Sequence, residues 1–383
     1  TPPLLYGVIP RHLKAEGLNR EGDGFRRIVV EKPFGYDLSS ALELNRIYLD
    51  AFREEQIYRI DHFLGKETVQ NILALRFANS VFEPLWNRNY IDYVEITAVE
   101  NMGIGTRGGF YDGVGTLRDM VQNHLAQLLA VTAMEPPAAF DASGFRNEVV
   151  KVYQSLTPLT GEDIRHSVVR GQYMASEGRK GYREEEQVPA LSRTETYLAM
   201  RLELNNWRWG GVPFYIRTGK QMPTKVSEIV IHFKPAPYSL FRCEGGTCPV
   251  PNRLVIRIQP NEGIVLRLGM KKPGEGFEVL PMDMDFSYAE LGRLPTEDAY
   301  ARLIEDCIAG DPTLFIRSDA AESGWRFFDP ILKYWQDVPE CPLYGYPAGS
   351  WGPLEADSLV ARQGASWTNP CKNLTNTHLY CEL

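Results

Sequence analysis

The spacing of apolar positions changes along the chain, from helical near the start to alternating beyond residue 165. Before that point, short apolar runs are separated by segments with apolar residues three or four positions apart. After it, apolar and polar residues alternate along several runs. Short apolar strands separated by helices are typical of a parallel sheet, and strict alternation is typical of antiparallel strands. The pattern therefore predicts an α/β segment followed by an α+β region.

The chain up to residue 60 is predicted to run strand, helix, strand, helix, strand. The predicted strands are three short apolar runs, at residues 4–9, 27–30 and 57–60. Residues 12–18 are weakly helical, and the second helix follows Asp37, with Ser40 and Glu43 at the spacing of a capping box. Three strands are too few for a complete doubly wound sheet. We therefore expect a partial Rossmann-like sheet in a chain that begins part-way through a domain.

The middle of the chain is predicted to hold one more strand, a glycine loop and further helices. A helix is expected from Gly65 towards residue 79, and a strand at residues 93–99. Residues 103–108 formally match the dinucleotide fingerprint GxGxxG. A genuine fingerprint opens a helix directly after a strand, whereas here we expect the helix to begin after Phe110 and Tyr111, so we interpret the segment as a flexible loop. Two helices should follow, at residues 115–134 and 147–156.

The second half of the chain predicts a large, mainly antiparallel sheet. Four runs alternate in polarity, at residues 200–205, 229–233, 254–259 and 264–268. Such alternation indicates one buried face, and the other face is rich in arginine. Helices are predicted at residues 297–309 and 319–333, and an ordered loop from residue 345. The fold class is therefore α+β with an α/β remnant: a partial Rossmann-like parallel sheet in residues 1–60, then an α+β domain in residues 61–383.

Composition excludes several classes of protein. The chain has 383 residues, 44% of them hydrophobic, a net charge of −8 and no run of basic residues, which argues for a sizeable core and against a nucleic-acid partner. No stretch approaches the ~18 apolar residues of a membrane helix, and we expect no signal peptide. The cysteines lack zinc-type spacing and predict free thiols in a reducing compartment. They are Cys243, Cys248, Cys307, Cys341, Cys371 and Cys381.

Candidate chemistry is concentrated where the third predicted strand ends. Asp61, His62 and Lys66 follow that strand and combine an acid that can orient a base, a titratable ring and a fixed cation. His124 lies among polar residues on the helix at 115–134, and Asp61 can orient it as a base if the fold brings the two together. The residues alone leave open a purely structural histidine and a salt-bridged loop.

Two further lysines extend the candidate site. Lys220 and Lys225 follow a predicted strand and a glycine, where they can bind a phosphate as point charges or lie in solvent. Nothing in the residues suggests a metal centre. The pattern alone therefore indicates an anionic small-molecule site in an α/β plus β protein.

Five motifs make the chain resemble the glucose-6-phosphate dehydrogenase family. The sequence RIDHFLGKE at residues 59–67 resembles that family's signature. The other motifs occur in the family's order: EKPFG at 31–35, RDMVQNH at 118–124, RTGK at 217–220 and GSWGP at 349–353. The resemblance covers essentially the whole chain. It implies an NADP-dependent dehydrogenase that oxidises glucose 6-phosphate at its anomeric carbon to the lactone, the first step of the oxidative pentose phosphate pathway.

The resemblance also implies roles for single residues. His124 corresponds to the family's general base, and Asp61 to the acid that orients it. The positions that correspond to sugar-phosphate ligands are His62, Phe63, Lys66, Glu100, Asp119, Lys32, Lys220 and Lys225. Those that correspond to coenzyme contacts are Lys32, Tyr6 and Pro10. No metal is implied.

Three departures from the family's pattern bear on these roles. The Gly-rich fingerprint of the coenzyme domain is absent, which should weaken the catalytic NADP site. Phe63 replaces a common tyrosine, so one hydroxyl that could reach the phosphate is lost. Some members bind a second, structural NADP, and the positions that correspond to part of that site are Arg217, Arg257, Gln259 and Arg267. Val226, Val230 and Trp351 stand where basic residues would help, which argues against this second site.

The resemblance implies a cytoplasmic enzyme that forms a homodimer or tetramer through the large sheet. Residues 1–60 would be the remnant of the NADP-binding domain, and residues 61–383 the substrate-binding and dimerisation domain. The alternative is a catalytically impaired fragment that acts only as a sugar-phosphate-binding or oligomerisation module. A lumenal hexose-6-phosphate dehydrogenase is a weaker alternative, because it should carry a secretory signal and a lactonase domain.

Overall fold

The computed structural model describes residues 2–238, 240–243, 252–274, 276–288, 298–361 and 365–370. The chain divides into two compact units, and each is described here separately. The first unit consists of Thr1–Gln70, Gly113–Arg165 and Thr296–Cys341. The second consists of Asn71–Asp112, His166–Pro295 and Pro342–Leu383.

Helices and strands follow one another in both units. The helices are α1 (Val8–Ala15), α2 (Leu38–Ala51), α3 (Glu67–Phe77), α4 (Gly108–Asp112), a π-helix (Leu117–Leu125), α5 (Ala126–Ala133), α6 (Ala142–Gln154), α7 (Glu162–Ser167), α8 (Ala299–Ala309), α9 (Ser318–Asp337) and α10 (Asp357–Val360). The strands are β1 (Ile28–Val30), β2 (Ile57–Arg59), β3 (Ile91–Val99), β4 (Val168–Met174), β5 (Tyr197–Glu203), β6 (Pro213–Gly219), β7 (Val226–Phe233), β8 (Arg242–Cys243), β9 (Arg253–Gln259), β10 (Gly263–Lys271), β11 (Glu278–Ser287) and β12 (Tyr344–Pro347).

The first unit is built on the parallel pair β1 and β2. Ile28 lies opposite Ile57, and Val30 lies opposite Arg59. An apolar cluster joins these strands to α2 and α9, and it contains Tyr6, Val30, Phe34, Tyr48, Ala51, Phe52, Ile57 and Ala321. The parallel pairing confirms the prediction from the strand–helix–strand order. Since both strands end at the same edge, the residues after Val30 and after Arg59 are brought together.

The prediction of a strand at residues 4–9 is wrong. A 3₁₀ turn at Pro3–Leu5 and the helix α1 occupy this stretch, so the described residues form two parallel strands in this sheet, not three. A short apolar run does not distinguish a strand from a buried helix. Pro10 does not end a strand but lies in the first turn of α1. Backbone N–H groups in the first turn of a helix have no intrahelical partner, so the N–H that proline lacks costs little stability there.

The cap of α2 also differs from the prediction. Asp37, not Ser40, is the N-cap residue: its Oδ1 accepts the Ser40 backbone N–H at 2.7 Å. Ser40 completes the capping box by accepting the Asp37 backbone N–H at 3.2 Å. A serine can stand at N3 as well as at the cap, and the apolar stripe does not fix the boundary to one residue.

The second unit is organised around a large mixed sheet. Within the described residues, the strands are ordered β12-β4-β5-β6-β3-β7-β9-β10-β11-β8. Most neighbours are antiparallel, as predicted, and the parallel pairs are β3 with β6, β4 with β12 and β8 with β11. The parallel pair in the centre places the carboxyl ends of β3 and β6 side by side.

The prediction of one exposed, arginine-rich face is wrong for the central strands. Every residue of β6 is buried, including Arg217. The tail of the chain covers this arginine, because its guanidinium lies 4.9 Å from the ring centre of Trp351 and 4.6 Å from that of Trp367. The alternation in the sequence shows which side chains are polar, but not which are exposed to solvent. A buried arginine with hydrogen-bond partners gives the same alternation as an exposed arginine.

The glycine loop at residues 103–109 is shorter than predicted. A 3₁₀ turn spans Gly105–Arg107, and α4 begins directly at Gly108. A Cβ atom at Gly108 would lie 2.0 Å from the Glu186 carbonyl oxygen. This glycine is therefore required by close packing of two backbone segments.

Cysteine and helix properties complete the description. Cys307 and Cys341 are buried free thiols, as predicted. Cys248, Cys371, Cys381 and the side chain of Cys243 lie outside the described part of the chain. None of the helices formed by the described residues has the length and apolar character of a membrane span.

Candidate active site

The turn after β2 places an aspartate with a fixed orientation inside the first unit. Asp61 Oδ1 accepts the backbone N–H of Phe63 at 2.9 Å, the local hydrogen bond by which aspartate commonly stabilises a turn. Leu64 N–H closes the same turn on the Asp61 carbonyl oxygen at 3.0 Å. The carboxylate is 3% exposed. Backbone hydrogen bonds of the turn therefore hold the carboxylate in position, independently of any side-chain partner.

The partner of Asp61 lies on the π-helix. His124 Nδ1 donates to Asp61 Oδ1 at 2.6 Å, and the imidazole is 2% exposed. From the sequence, Asp61 could orient His124 only if the fold brought the two residues together. The structure does bring them together. Because Nδ1 carries the proton towards the carboxylate, Nε2 presents its lone pair as a base does.

Electrostatics keep the Asp61 carboxyl ionised. Burial alone would raise its pKa, but the charge of His124 and the hydrogen bonds to His124 and Phe63 outweigh burial and hold the pKa below its usual range. An ionised, oriented carboxylate stabilises an imidazolium that forms beside it. The pair is therefore arranged to accept a proton at Nε2.

Lys32 faces the other nitrogen of the imidazole. It follows β1 and donates from Nζ to His124 Nε2 at 2.8 Å, to Asp119 Oδ1 at 3.2 Å and to the Asp119 carbonyl at 3.0 Å. Asp119 and His124 are five residues apart, and the i→i+5 bonding of a π-helix aligns such residues on one side. The π-helix was not predicted, since π-helical and α-helical segments share the same apolar pattern.

Two aromatic contacts hold the imidazole in place. Phe63 is 4% exposed and stacks on His124, with ring centres 4.6 Å apart and an interplanar angle of 20°. His62 meets the same imidazole edge to face at 4.5 Å. Phe63, expected beside the phosphate, thus packs on the candidate base, a contact that linear sequence does not show.

His62 is uncharged near neutral pH. Burial, followed by the nearby charge of His124, lowers the pKa of His62 from its usual 6.5 to about 4. Its ring stacks on Tyr300, with ring centres 5.7 Å apart. His62 therefore offers a hydrogen bond, while the fixed cation of this turn is Lys66, whose Nζ lies 5.2 Å from the Phe63 ring centre.

Tyr300 and Glu31 belong to this site, although sequence reasoning did not select either. Burial, then the charge of Glu31 and a hydrogen bond to it, raise the pKa of Tyr300. Glu31 directly precedes Lys32, and burial raises the pKa of Glu31. The signal available in the sequence was the position of Glu31 in the EKPFG motif. Tyr300 had no local signal, because it lies far along the chain on α8.

Glu100 and Lys220 form an ion pair in the second unit. Glu100 follows β3 and Lys220 follows β6, its parallel neighbour, so the sheet places them side by side. Lys220 is 4% exposed, with its ammonium 5.5 Å from the Tyr111 ring centre. Lys225 lies five residues after Lys220 and is exposed. The sheet topology thus places Glu100 beside Lys220, and their role as sugar contacts stays a prediction.

The four residues proposed for a structural NADP are all bonded to protein groups. Arg217 donates to Asn369 Oδ1 at 2.8 Å and to the Thr368 carbonyl at 2.9 Å. Arg257 pairs with Asp285 and Arg267 with Asp283. Gln259 donates to Ser227 Oγ at 3.1 Å. Val226 and Val230 are buried, and each of the four residues above already has a protein partner, which argues against a second nucleotide on this part of the described sheet.

Asp61, His62 and His124 form a cluster of metal-ligating types, with ligand atoms within 4.8 Å of one another. Both nitrogens of His124 are already engaged, Nδ1 with Asp61 and Nε2 with the ammonium of Lys32. A cation at Nε2 opposes a second cation there, so the arrangement fits proton transfer better than metal binding.

A cleft lies at the ends of β1 and β2, and Glu31 and Lys32 line it. Gln122 adds an amide, and the small side chains of Ala320 and Ala321 form an apolar wall. The cleft lies at the carboxyl ends of two parallel strands, which is where α/β sheets bind nucleotides.

Comparison with known proteins identifies the family. A model described as "Glucose-6-phosphate dehydrogenase, NAD binding domain" matches residues 1–71, and one described as "Glucose-6-phosphate dehydrogenase, C-terminal domain" matches residues 73–368. The chain belongs to the glucose-6-phosphate dehydrogenase family. The Aggregatibacter actinomycetemcomitans glucose-6-phosphate 1-dehydrogenase is 54% identical over 97% of this chain and 74% of its own length. The Treponema pallidum enzyme is 50% identical over 100% and 75%.

Solved structures of the family share this fold. A glucose-6-phosphate dehydrogenase in complex with glucose 6-phosphate superposes with a TM-score of 0.88 at 35% identity, covering 96% of this chain and 75% of that one. The Mycobacterium avium glucose-6-phosphate 1-dehydrogenase gives a TM-score of 0.81 at 38% identity, over 97% and 76%. Members of the family are NADP-dependent oxidoreductases, and this chain spans about three quarters of the length of the curated relatives above.

Proposed function

We propose that this chain oxidises glucose 6-phosphate to the lactone, with NADP as the coenzyme and His124 as the general base. The observation that supports this most directly is the Asp61–His124 hydrogen bond of 2.6 Å, with Lys32 at the opposite nitrogen, in a chain of this family. The reaction removes a proton from the anomeric hydroxyl while a hydride leaves the same carbon. A base is therefore needed at the site, and Asp61–His124 supplies it.

The proton moves from the anomeric hydroxyl to His124 Nε2. Lys32 Nζ lies 2.8 Å from this nitrogen. When the hydroxyl becomes the donor, Lys32 remains bonded to Asp119, whose carboxylate lies 3.2 Å away. Asp61 stabilises the imidazolium through Nδ1 and keeps the ring oriented. Lys32, Tyr6 and Pro10 are the residues proposed to hold NADP, which would supply the hydride acceptor.

The phosphate is proposed to bind at the turn after β2. Lys66 supplies the charge, and His62 supplies a hydrogen bond, since its depressed pKa keeps it neutral until a dianion binds. Phe63 supports the base by stacking on His124. Asp119 in the first unit is a proposed contact of the sugar. In the second unit, Glu100 and Lys220 are proposed as sugar contacts and Lys225 as a further cation for the phosphate.

Replacing Lys66 with methionine should raise KM for glucose 6-phosphate about 10–100-fold and change kcat little, because a charge-assisted hydrogen bond is worth roughly 1.5–3 kcal/mol. Steady-state kinetics measure both constants. The matched control is Lys14→Met, which removes a surface lysine paired with Asp50. An unchanged KM in Lys66→Met would remove this lysine from the phosphate site.

A turnover assay separates the proposed activity from the alternative. The purified chain is supplied with NADP and either glucose 6-phosphate or glucose, and the reduced coenzyme is followed by its absorbance. Reduction that requires the 6-phosphate supports the dehydrogenase. Binding of glucose 6-phosphate by calorimetry without any reduction of NADP would favour the alternative, a fragment that binds sugar phosphate or assembles without catalysis.

Assembly through the large sheet is proposed from an uncovered apolar face. On β10 and β11 the cross-strand pairs Leu268 with Met282, Leu266 with Met284 and Ile264 with Phe286 lie on one side of the sheet. Met282 is 55% exposed and Met284 63% exposed. The same register continues into the buried Leu254 and Ile256 of β9. An apolar face continuous with a core is typical of an interface, and we propose a second copy of the chain as its partner, in a homodimer or tetramer.

Met284→Glu should shift the assembly towards monomers, since a carboxylate in an apolar interface is costly to bury. Sedimentation velocity over a range of concentrations measures the shift, and we expect the dimer to weaken at least about tenfold. Met102→Glu is the control, because Met102 is equally exposed at 63% on another surface. Identical sedimentation of Met284→Glu and wild type would rule out this face.

Location and domain roles are also proposed. Buried free thiols at Cys307 and Cys341 support a reducing, cytoplasmic compartment. Residues 1–60 are proposed as the coenzyme segment, because Lys32 and Tyr6 belong to it. Residues 61–383 are proposed to bind the sugar phosphate and to assemble. This division concerns function, whereas the two compact units describe packing.

A further inference from the structure

Asp61 has one oxygen that the catalytic pair does not use. Oδ1 accepts from His124 Nδ1 at 2.6 Å and from the Phe63 N–H at 2.9 Å. Oδ2 is fully buried, and no group among the described residues donates to it. Buried carboxylate oxygens are normally hydrogen-bonded, so an unsatisfied one beside a catalytic base needs a donor.

Tyr153 on α6 carries a buried hydroxyl that also has no partner among the described residues. The side chain is 4% exposed. Burial, and then the negative charge of Asp61, raise its pKa well above the usual 10.0. The phenol therefore stays protonated and can donate a hydrogen bond. The negative charge of Asp61 acts on it electrostatically.

Tyr153 lines the cleft at the ends of β1 and β2 together with Ile60 and Asn123. Ile60 immediately precedes Asp61 in the chain, and Asn123 immediately precedes His124. The residue with the unmatched donor thus lines the same cleft as the chain neighbours of both members of the pair.

We infer that Tyr153 is a positioning residue of the base: its hydroxyl donates to Oδ2 of Asp61 through one water molecule in the cleft. This inference rests on the proposed function, because Tyr153 acts on the reaction only through Asp61 and His124. A donor at Oδ2 holds the carboxylate plane and takes up part of its negative charge. Less charge is then available to His124, so the imidazole gives up its proton at lower pH.

Other ionisable groups face the pair and stay the same in the variants. Lys32 faces His124 Nε2, and His62 faces the imidazole edge to face. Glu31 precedes Lys32 in the chain, and Asp119 forms an ion pair with Lys32. The comparison of variants therefore isolates the hydroxyl of Tyr153.

Tyr153→Phe should move the titration midpoint of the His124 imidazole to higher pH by about 0.3–1 unit, since the carboxylate then turns fully to His124. Histidine NMR of the intact chain measures this midpoint without requiring turnover. The acid limb of the kcat/KM profile should move by the same amount. Tyr197→Phe is the matched control: its hydroxyl is also buried and unpartnered among the described residues, and it lies in the second unit, so it should leave both values unchanged.

A double variant tests whether Tyr153 acts through Asp61. In an Asp61→Asn background, Tyr153→Phe should cause no further shift of the midpoint. Tyr153→Leu, which also lacks the hydroxyl, replaces Tyr153→Phe if that variant does not fold. Two results would overturn the inference. One is a His124 midpoint in Tyr153→Phe that lies within about 0.1 pH unit of wild type. The other is a shift of the same size with and without the Asp61 carboxylate. A shift in a chain without turnover would sustain the inference and count against the proposed function alone.

Discussion

Replacing His124 with asparagine is expected to lower kcat for glucose 6-phosphate oxidation by about 10²–10⁴-fold, the usual contribution of a general base. The imidazole is 2% exposed, with Asp61 at Nδ1 and Lys32 at Nε2, and an asparagine amide supplies no base at this position. The proposed phosphate contacts, Lys66 and His62, are left intact. Calorimetry should therefore find the affinity for glucose 6-phosphate within about threefold of wild type, which corresponds to less than 1 kcal/mol.

The control for this variant is His12→Asn, on the exposed side of α1 in the same unit. It makes the same chemical change away from the pair and should retain wild-type kcat. If His124→Asn turned over at a rate close to that of wild type, another group would have to be the base. If it lost sugar-phosphate binding together with turnover, the histidine would be part of the binding surface and its role as the base would be undefined.

Asp61→Asn should lower kcat/KM by about 10²–10⁴-fold, as removal of the carboxylate does in other histidine–aspartate pairs. Two effects combine. The amide no longer stabilises the imidazolium, and it no longer dictates which nitrogen of His124 carries the proton. Because the variant imidazole loses its proton more readily, the acid limb of the pH profile should move to lower pH while the maximum rate falls.

Asp37→Asn provides the matched control for the aspartate. Asp37 caps α2, and asparagine caps a helix about as well as aspartate, so rate and profile should both stay at wild type. Kinetics over a range of pH with both variants decide the point. An Asp61→Asn enzyme with a wild-type profile would show that the carboxylate has only a structural role.

The acidity of the carboxyl implies a direction for the pH dependence of stability. The pKa of Asp61 is lower in the folded chain than in the unfolded chain, because the His124 charge and hydrogen bonds outweigh burial. Its contribution to stability is therefore present above its unfolded pKa and is lost as the pH falls through the folded value. His62 acts in the same direction over its own window, from its unfolded pKa of 6.5 down to about 4, because the unfolded chain binds the proton first.

Much of the site was accessible from sequence because its parts are local. The order of strands and helices predicted that β1 and β2 would be parallel and end at one edge, where Lys32 and Asp61 follow them. The family's motifs then pointed to His124. The alternating runs likewise predicted a mainly antiparallel sheet, and they placed Glu100 and Lys220 at strand ends.

The remainder depends on features that a linear pattern does not encode. The helix at residues 115–134 was predicted, but the π-helical stretch that aligns Asp119 with His124 has the same apolar spacing as an α-helix. Residues 4–9 have an apolar run that suits either strand or helix. Only the folded chain reveals that Phe63 stacks on His124 and that the hydroxyl of Tyr153 is buried.

The burial of the arginine-rich strands could not be predicted from the sequence either. Alternation predicted an exposed polar face, yet Arg217 is 1% exposed between Trp351 and Trp367. More than a hundred residues separate these tryptophans from the arginine, so no short window of sequence contains both. Polarity in the sequence thus identified the residues, and the tail of the chain determined their burial.

The central claim is that the Asp61–His124 pair is the base, and one comparison of two titrations tests it most directly. The pH dependence of kcat/KM reports groups in the free enzyme, and histidine NMR reports the protonation of His124 in the same sugar-free chain. We expect the midpoint of the acid limb to coincide with the NMR midpoint of His124 and to move with it in Asp61→Asn. Turnover that continues undiminished at a pH where His124 is fully protonated would contradict the account.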